Sequence, residues 1–435
     1  NHREYQDVFG RGRQLGVPDF YNLRNAAELH ADEYSQYIRT AALFFIADLE
    51  FSNMLFLNVT GRNEWSSTFG PNQNNFFYPS ANMSFVFTEL LESDNILSFG
   101  KIRLAYAQSG ISAPVYSSKT YFTQPFLTDG FTGGLSYPYM RRSGLGYSNI
   151  IGNPGLSPER VTGKEVGLDI RFFQGRLNFD LTLYDQLSTD ILVQRNIPSS
   201  TGFRTKQSNS GEMSNKGIEL MVSGSPVRTS DFNWDISVNY SRNRSEVLKL
   251  AEGVTEINIA SAFTEIGSYA IVGSPYGAFF GTKWERTPGG DLILGDDGLP
   301  LVQLETGGIG NPFPDWQSNV RNTFTFKGLS LTALLDIRKG GDIYAGTWAR
   351  LNRQGVTKES ADRERTFLIE GVSAQYDANG DVVYETEGSR TGQAKYTNEA
   401  NTQEISAISY WQNFQGDFGT AEQKVTDGSW VRWRR

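Results

Sequence analysis

The chain has 435 residues, a formal net charge of −8, 38% hydrophobic and 13% aromatic residues, 45 glycines and no cysteine. It is too aromatic for disorder and too polar for a helical membrane protein, and it offers neither a disulfide framework nor a thiolate metal site. Histidine occurs only at His2 and His30, which leaves nothing to build a histidine-rich zinc centre, and the absence of a basic, aromatic-laced stripe excludes a nucleic-acid partner.

In chain order, the opening "NHREYQDVFG" is polar throughout and is not a signal peptide, so an exported protein would have its start upstream. "AALFFIA" (Ala41–Ala47), the longest apolar run, is far short of the roughly 20 residues of a spanning helix. Alternation then begins. "MLFLNVTGR" sets Leu55, Leu57 and Val59 against Phe56, Asn58, Thr60 and Arg62, and "KIRLAYAQSG" sets Ile102, Leu104 and Tyr106 against Lys101, Arg103 and Ala105. "KEVGLDIRFF" repeats the pattern with Val166, Leu168, Ile170 and Phe172. In "RLNFDLTLYDQL", Leu177, Phe179, Leu181 and Leu183 oppose Asn178, Asp180, Thr182, Tyr184 and Gln186. "DFNWDISVNYSRNR" and "LSLTALLDIRKG" follow suit, with Leu334 the one exception in the latter. Side chains alternate faces along a strand, so each segment predicts a strand with one apolar and one polar wall. About eleven such segments, mostly of roughly nine to twelve residues, match the span of tilted membrane strands better than the five or six usual in soluble domains.

The connections alternate too. Tight turns are expected in "LEFSN" near Glu50, at Gln174–Gly175, at Ser225–Ser230 and at Lys327–Gly328. Long connections without regular structure are expected from Gly110 to Glu159, Ser188 to Asn215, Ser245 to Trp316 and Gly340 to Asp427. A mid-sized hairpin near Phe69 and one helical turn in "TELLESDNILSF" interrupt the rhythm. A secreted β-sandwich with one solvated face also alternates. The long loops, and polar faces richer in Asn, Ser, Thr and Asp than in Lys and Glu, favour an antiparallel transmembrane β-barrel with short periplasmic turns and long extracellular loops. In that reading the leucines of Arg176–Leu187 face lipid.

"GNPGLSPERVTGKEVGLDIRFFQGRLNFDLTLYDQLSTDILV" resembles the Gly-Asn-Pro-x-Leu-x-Pro-Glu segment and following hairpin of SusC/RagA-type TonB-dependent outer-membrane transporters. The resemblance continues in order through "GRNEWSSTFG", "FFYPSANMSFVF", "PSSTGF", "NSGEMSNKGIEL", "VGSPYGAFFGTKWE" and "IGNPFPDWQSNVRNTFTFKGLSLTALLDIRKGGDIY" to "VTDGSWVRWRR". It covers about Asn53 to Arg435, and the first fifty or so residues, which carry little of the signature, are expected to be variable loop. One departure stands out: the family's Asp-Gly-Ser-Ser after the Arg is here "NEWSS", with Glu64 and Trp65. The resemblance implies a barrel of about 22 strands, an N-terminal plug and a TonB-binding segment. Residues 1–435 would then be one partial barrel domain, with the plug and terminal strands outside this chain. It also implies active uptake of oligosaccharides or oligopeptides, energised through TonB by way of the plug and assisted by a SusD-like surface lipoprotein. The alternative is an outer-membrane or secreted glycan-binding adhesin that moves nothing. No enzymatic activity is expected, since two N-terminal histidines supply no Ser-His-Asp arrangement.

Two groups of residues are candidates for binding. Trp284, Trp316, Trp348 and Trp411 stand in or beside the long loops, where indoles stack on sugar rings or peptide side chains; an interfacial girdle or loop packing is the plainer explanation. "YDANGDVVYE" spaces Asp377, Asn379 and Asp381 as oxygen ligands for a structural Ca2+ are spaced, although a solvated Asn-Gly turn explains the string more simply. No other cofactor is expected. The Gly-rich "RKGGD" and "TPGG" have no following helix to make a phosphate cradle.

Overall fold

The computed structural model describes residues 2–71, 73–91, 96–124, 126–127, 135–137, 139–262, 266–387 and 390–434. Among them, twelve strands follow one another in chain order along one sheet. They are β1 (His2–Leu15), β2 (Ala26–Phe51), β3 (Leu55–Ser66), β4 (Asn75–Val86), β5 (Leu97–Ile111) and β6 (Glu159–Phe172). After them come β7 (Leu177–Asn196), β8 (Thr205–Arg228), β9 (Phe232–Lys249), β10 (Pro314–Phe326), β11 (Leu329–Gly340) and β12 (Trp430–Arg434). The β1–β2, β2–β3, β3–β4, β4–β5, β9–β10, β10–β11 and β11–β12 pairs are antiparallel. This is an up-and-down meander, built by hairpins rather than crossovers.

The turns lie where the sequence puts them. Lys327 (φ 45°) and Gly328 (φ 88°) join β10 to β11 in a left-handed two-residue turn that suits the strand twist, and only the glycine adopts it without cost. Ser52 and Asn53, and Gln174 with Gly175, sit in the same region of backbone space. The helical turn expected near Thr88 is a short 3-10 turn over Phe87–Leu90; residues 92–95 of that stretch lie outside the described residues.

Three expectations are corrected. The first fifty residues are not variable loop but two long strands, β1 and β2, joined by thirteen register pairs. β1 went unread because "HREYQDVFGRGRQL" has no apolar alternation, and β2 because "AALFFIA" puts apolar side chains on both faces. The Ser188–Asn215 connection shrinks to residues 197–204, since β7 and β8 continue well past the span a bilayer demands. Above the membrane a ladder needs backbone pairing only, and a polar sequence such as "SNSGEMS" supplies that as well as any other. The connections Ser245–Trp316 and Gly340–Asp427 are not irregular; they carry short strands, the helix Gly346–Arg353 and buried clusters.

The chain divides into two compact units. In the first (residues 1–90, 101–166 and 185–212), fully buried Leu156 packs with Phe69 and Ala113. That explains the Gly-Asn-Pro-x-Leu-x-Pro-Glu segment physically. Asn153 accepts from the Gly155 amide at 3.0 Å and donates to the Gln207 carbonyl at 3.1 Å, while Glu159 accepts from the Leu192 amide at 3.0 Å. The segment is a folded clasp with a leucine at its centre.

In the second unit (residues 91–100, 167–184 and 213–435), Ile236, Val238 and Trp234 of β9 share a face with Leu331, Ala333, Leu335 and Ile337 of β11 through β10. Asn322, a polar side chain on this face, accepts from the Trp234 indole at 3.1 Å, so these two polar groups satisfy each other where hydrocarbon would not. Near the Lys327–Gly328 turn, Phe324 stacks between Phe232 and Trp234, as an interfacial aromatic band would.

Candidate substrate-binding wall and loop module

The polar faces of the strands carry ordered hydrogen-bonded rungs. In the first unit Asn58 donates to Asp48 at 2.6 Å and Asn82 donates to Asn58 at 3.3 Å, while Thr60 and Ser80 pair at 2.6 Å. On the same face Arg62 donates through Nε (2.9 Å) and Nη2 (2.5 Å) to Glu64, so the "NEWSS" departure builds a side-on ion pair. This face borders a groove of about 740 Å³ whose walls include Arg3, Tyr34, Gln36, Thr40, Arg62 and Glu64.

In the second unit, Asp180, Thr182, Glu219, Asn239, Gln317 and Asn319 border a separate cavity of about 340 Å³, with Asn239 donating to Asn319 at 2.8 Å. Asp180 and Thr182, two of the polar-wall residues of "RLNFDLTLYDQL", thus border this cavity.

Also in the second unit, the two long connections fold together as one module. Ile293 packs with Ala374 and Ala394, and Leu294 with Ile369 and Ile405. Glu422 accepts from the Trp284 amide at 3.0 Å and pairs with Arg286 at 3.3 Å, and the Ala421 amide donates to Thr282 at 2.9 Å. At the base, Asp342 accepts from the Asn311 amide at 2.6 Å, and Asp342–Tyr344 pairs with Val425–Asp427. Burial raises the Glu285 carboxyl above the ordinary carboxylate range, with the Ala394 amide pulling the other way.

The four tryptophans occupy three different settings. Trp284 is 3% exposed and joins Trp411 through an aromatic run, Trp284–Phe414–Tyr410–Trp411, so its face is spent on the module's own core. Trp411 also borders a cavity of about 300 Å³ with Arg353, Arg363 and Ile408. Trp316 is on β10, not in a loop, and packs on Tyr240 with centroids 5.9 Å apart. Trp348 is exposed on the helix Gly346–Arg353.

Asp377 accepts from the amides of Asn379 (2.8 Å) and Asp381 (3.0 Å), and these amides hold its carboxyl below the usual range. With Gly380 at φ 84° and Tyr376 bridged to Val382, Asp377, Asn379 and Asp381 form a hairpin turn. Among the described residues no group of three or more His, Cys, Asp or Glu side chains is placed to hold a metal. Sequence reasoning passed over Arg3, Glu285 and Glu422. The first lies in a strand without alternation, and the other two matter only through contacts distant in sequence.

A meander of strands with an apolar face exposed and a polar, hydrogen-bonded face bordering cavities is the wall of a membrane β-barrel. Residues 2–299 match the family described as TonB dependent receptor-like, beta-barrel, and the chain belongs to that family of outer-membrane proteins. TonB-dependent receptor P26 of Formosa agariphila is 26% identical over 350 residues, which cover 75% of this chain and 34% of that protein. TonB-dependent receptor SusC of Bacteroides thetaiotaomicron is 28% identical over 229 residues, 49% of this chain and 22% of that one. The solved RagAB peptide transporter shares the fold, with a TM-score of 0.63 at 21% identity over 81% of this chain and 40% of its own. The chain spans about a third of the length of the first curated relatives it matches.

Proposed function

We propose that this chain forms part of the barrel of an outer-membrane importer that takes up oligosaccharides or oligopeptides, is energised through TonB, and works with a SusD-like surface lipoprotein. The observation that carries the reading is the pairing of a hydrophilic, rung-laced inner face with a folded loop module. An adhesin needs the loops alone; only a conduit needs a polar strand wall as well. Family membership and the shared fold with the RagAB peptide transporter support the same reading. The module lies on the extracellular side and the turn at Gln174–Gly175 on the periplasmic side. Trp348 and Leu351, both exposed and three residues apart on one helix face, offer the lipoprotein an apolar contact.

The test uses the full-length gene product. Deleting the gene should abolish growth on an oligomeric nutrient while leaving growth on its monomer intact, and a protonophore should stop uptake without stopping surface binding. A tagged copy should co-purify with a surface lipoprotein, and Trp348→Asp should weaken that capture. Unchanged growth together with lost glycan adherence would mark an adhesin.

A further inference from the structure

The groove in the first unit has a charge pattern that the transport reading does not require. Its two guanidinium groups face one carboxylate among the bordering side chains. Arg3 has no acidic partner among the described residues. Arg62 is held by Glu64 along its Nε–Nη2 edge, which leaves the Nη1 end of the fork open. A guanidinium so fixed keeps the geometry that grips a carboxylate through two parallel hydrogen bonds, and it loses little freedom in doing so.

The register sets the spacing. Arg3 lies opposite Ile38 and Arg62 opposite Phe44 on β2, six positions apart and therefore about 20 Å along the strand. Between these levels the floor offers Thr40 and Ala42, and Gln36 donates to the Tyr34 hydroxyl at 2.6 Å beyond the Arg3 level. Residues 112–115 border the same space opposite the strands, and Tyr116 donates to the Ser35 carbonyl at 3.3 Å. The result is a long trough of mixed polar and apolar lining, with Ile38, Ala42 and Val115 among its walls and a cation near each end.

We propose that this trough is a substrate subsite for a short, extended oligomer that carries acidic groups, with Arg3 and the Glu64-braced Arg62 each taking a carboxylate. The proposal rests on the import reading and narrows its substrate class. Glu64 has two consequences: it orients Arg62, and it keeps the local potential low enough for an acidic oligomer to leave again. A neutral oligomer would gain no ion pair from either cation.

The experiment uses the full-length protein purified in detergent, with binding measured by calorimetry. The probes are hexagalacturonate, hexaglutamate and, as the neutral control, maltohexaose, since about six extended residues span the distance between the cations. An acidic probe should bind more tightly than maltohexaose and weaken as salt rises from low to physiological strength. Arg3→Gln and Arg62→Gln should each weaken it about tenfold, the loss of one charge-assisted contact, without altering maltohexaose. Preference for hexagalacturonate identifies a sugar acid as the source of the carboxylates, and preference for hexaglutamate a peptide. Heat-modifiable migration on gels confirms that both variants fold. Equal affinity for all three probes, no acidic binding, or acidic binding indifferent to both substitutions overturns the proposal. Binding by the purified protein needs no TonB. Acidic binding with no energised uptake would therefore count against the import reading and leave the trough standing.

Discussion

Leu329 and Leu331 on β11 are 74% and 65% exposed, whereas Ile293 and Leu294 in the loop module are 0% and 1% exposed. Aliphatic side chains of one kind are bared in the first region and sealed in the second. The difference follows from the solvent each region faces. The strand wall has no core of its own on its apolar side and relies on hydrocarbon to cover it, so its backbone must be fully paired within the sheet. The module stands in water and must bury its own apolar surface, which it does by drawing two connections together. Long loops normally need a partner to offset their ordering entropy; here each connection is the other's partner.

If the module has an aqueous core of its own, the largest expected effect comes from removing part of it. Leu294→Ala should cost about 2–5 kcal/mol of local stability, the range for a buried leucine leaving a cavity. Hydrogen exchange at the amide of Leu301, which donates to the Ile293 carbonyl at 2.9 Å, should accelerate, while the barrel keeps its heat-resistant migration on gels. Collapse of both together would erase the distinction between the regions.

The wall should respond to the opposite chemistry. Leu335→Arg, on the lipid-facing side and two turns of the pleat beyond the Phe324 level, should cost roughly 2–4 kcal/mol near mid-bilayer, measured by unfolding in lipid vesicles. Thr332→Arg, on the polar face of the same strand with Thr323 at 3.3 Å, should be tolerated because its charge stays hydrated. Equal tolerance of the pair would sink the lipid-facing assignment.

The junction between the regions is sensitive to a single methyl group. A Cβ on Gly428 would lie 1.9 Å from the Gly341 carbonyl oxygen, so Gly428→Ala must displace backbone. It should cost about 1–3 kcal/mol, as overpacking does. It should also loosen the Ser429 contacts, in which the Ser429 amide donates to Asp427 at 2.8 Å and the Gly340 amide donates to Ser429 at 2.7 Å. Faster exchange at the Gly340 and Ser429 amides, with the Leu301 amide unchanged, is the expected signature.

The same contrast explains what was legible in the sequence. A bilayer imposes one rule on every residue of a crossing strand, so the faces of β3, β7, β9 and β11 and the turns that join them could be read directly. The module obeys no repeating rule. Ile293 is buried because Ala374 and Ala394, dozens of residues later, come to meet it, and only the fold shows that. For Trp284 the sequence left stacking on a ligand beside plain loop packing, and the fold shows its face turned into the module's core. β1 lacked any apolar period, and with it Arg3 escaped notice. "NEWSS" was visible as a departure, but its meaning, a carboxylate bracing Arg62, needed the geometry.

The smallest expected effect separates the regions by pH. Glu285 lies in the module's interior, and burial raises its carboxyl above the unfolded value. The folded state therefore keeps this proton to a higher pH than the unfolded chain, and the sign follows. At acid pH, below the unfolded value of about 4.3, the group is neutral in both states and costs nothing. As pH rises through the unfolded and then the raised folded value, stability falls, and above the latter the whole burden of a buried charge is carried. Glu285→Gln should therefore slow exchange at the Ile293 amide, which donates to the Glu285 carbonyl at 3.0 Å, at neutral pH, and the advantage should vanish near pH 4. Asp377 and Asp427, both held below the usual range, destabilise in the opposite direction as pH falls, but they are common to both proteins and cancel in the difference. Exchange in β10 and β11, where the wall depends on lipid rather than on this core, should show no difference at any pH. A gap between the two proteins that persisted at pH 4 would mean that Glu285 acts through packing and not through its charge.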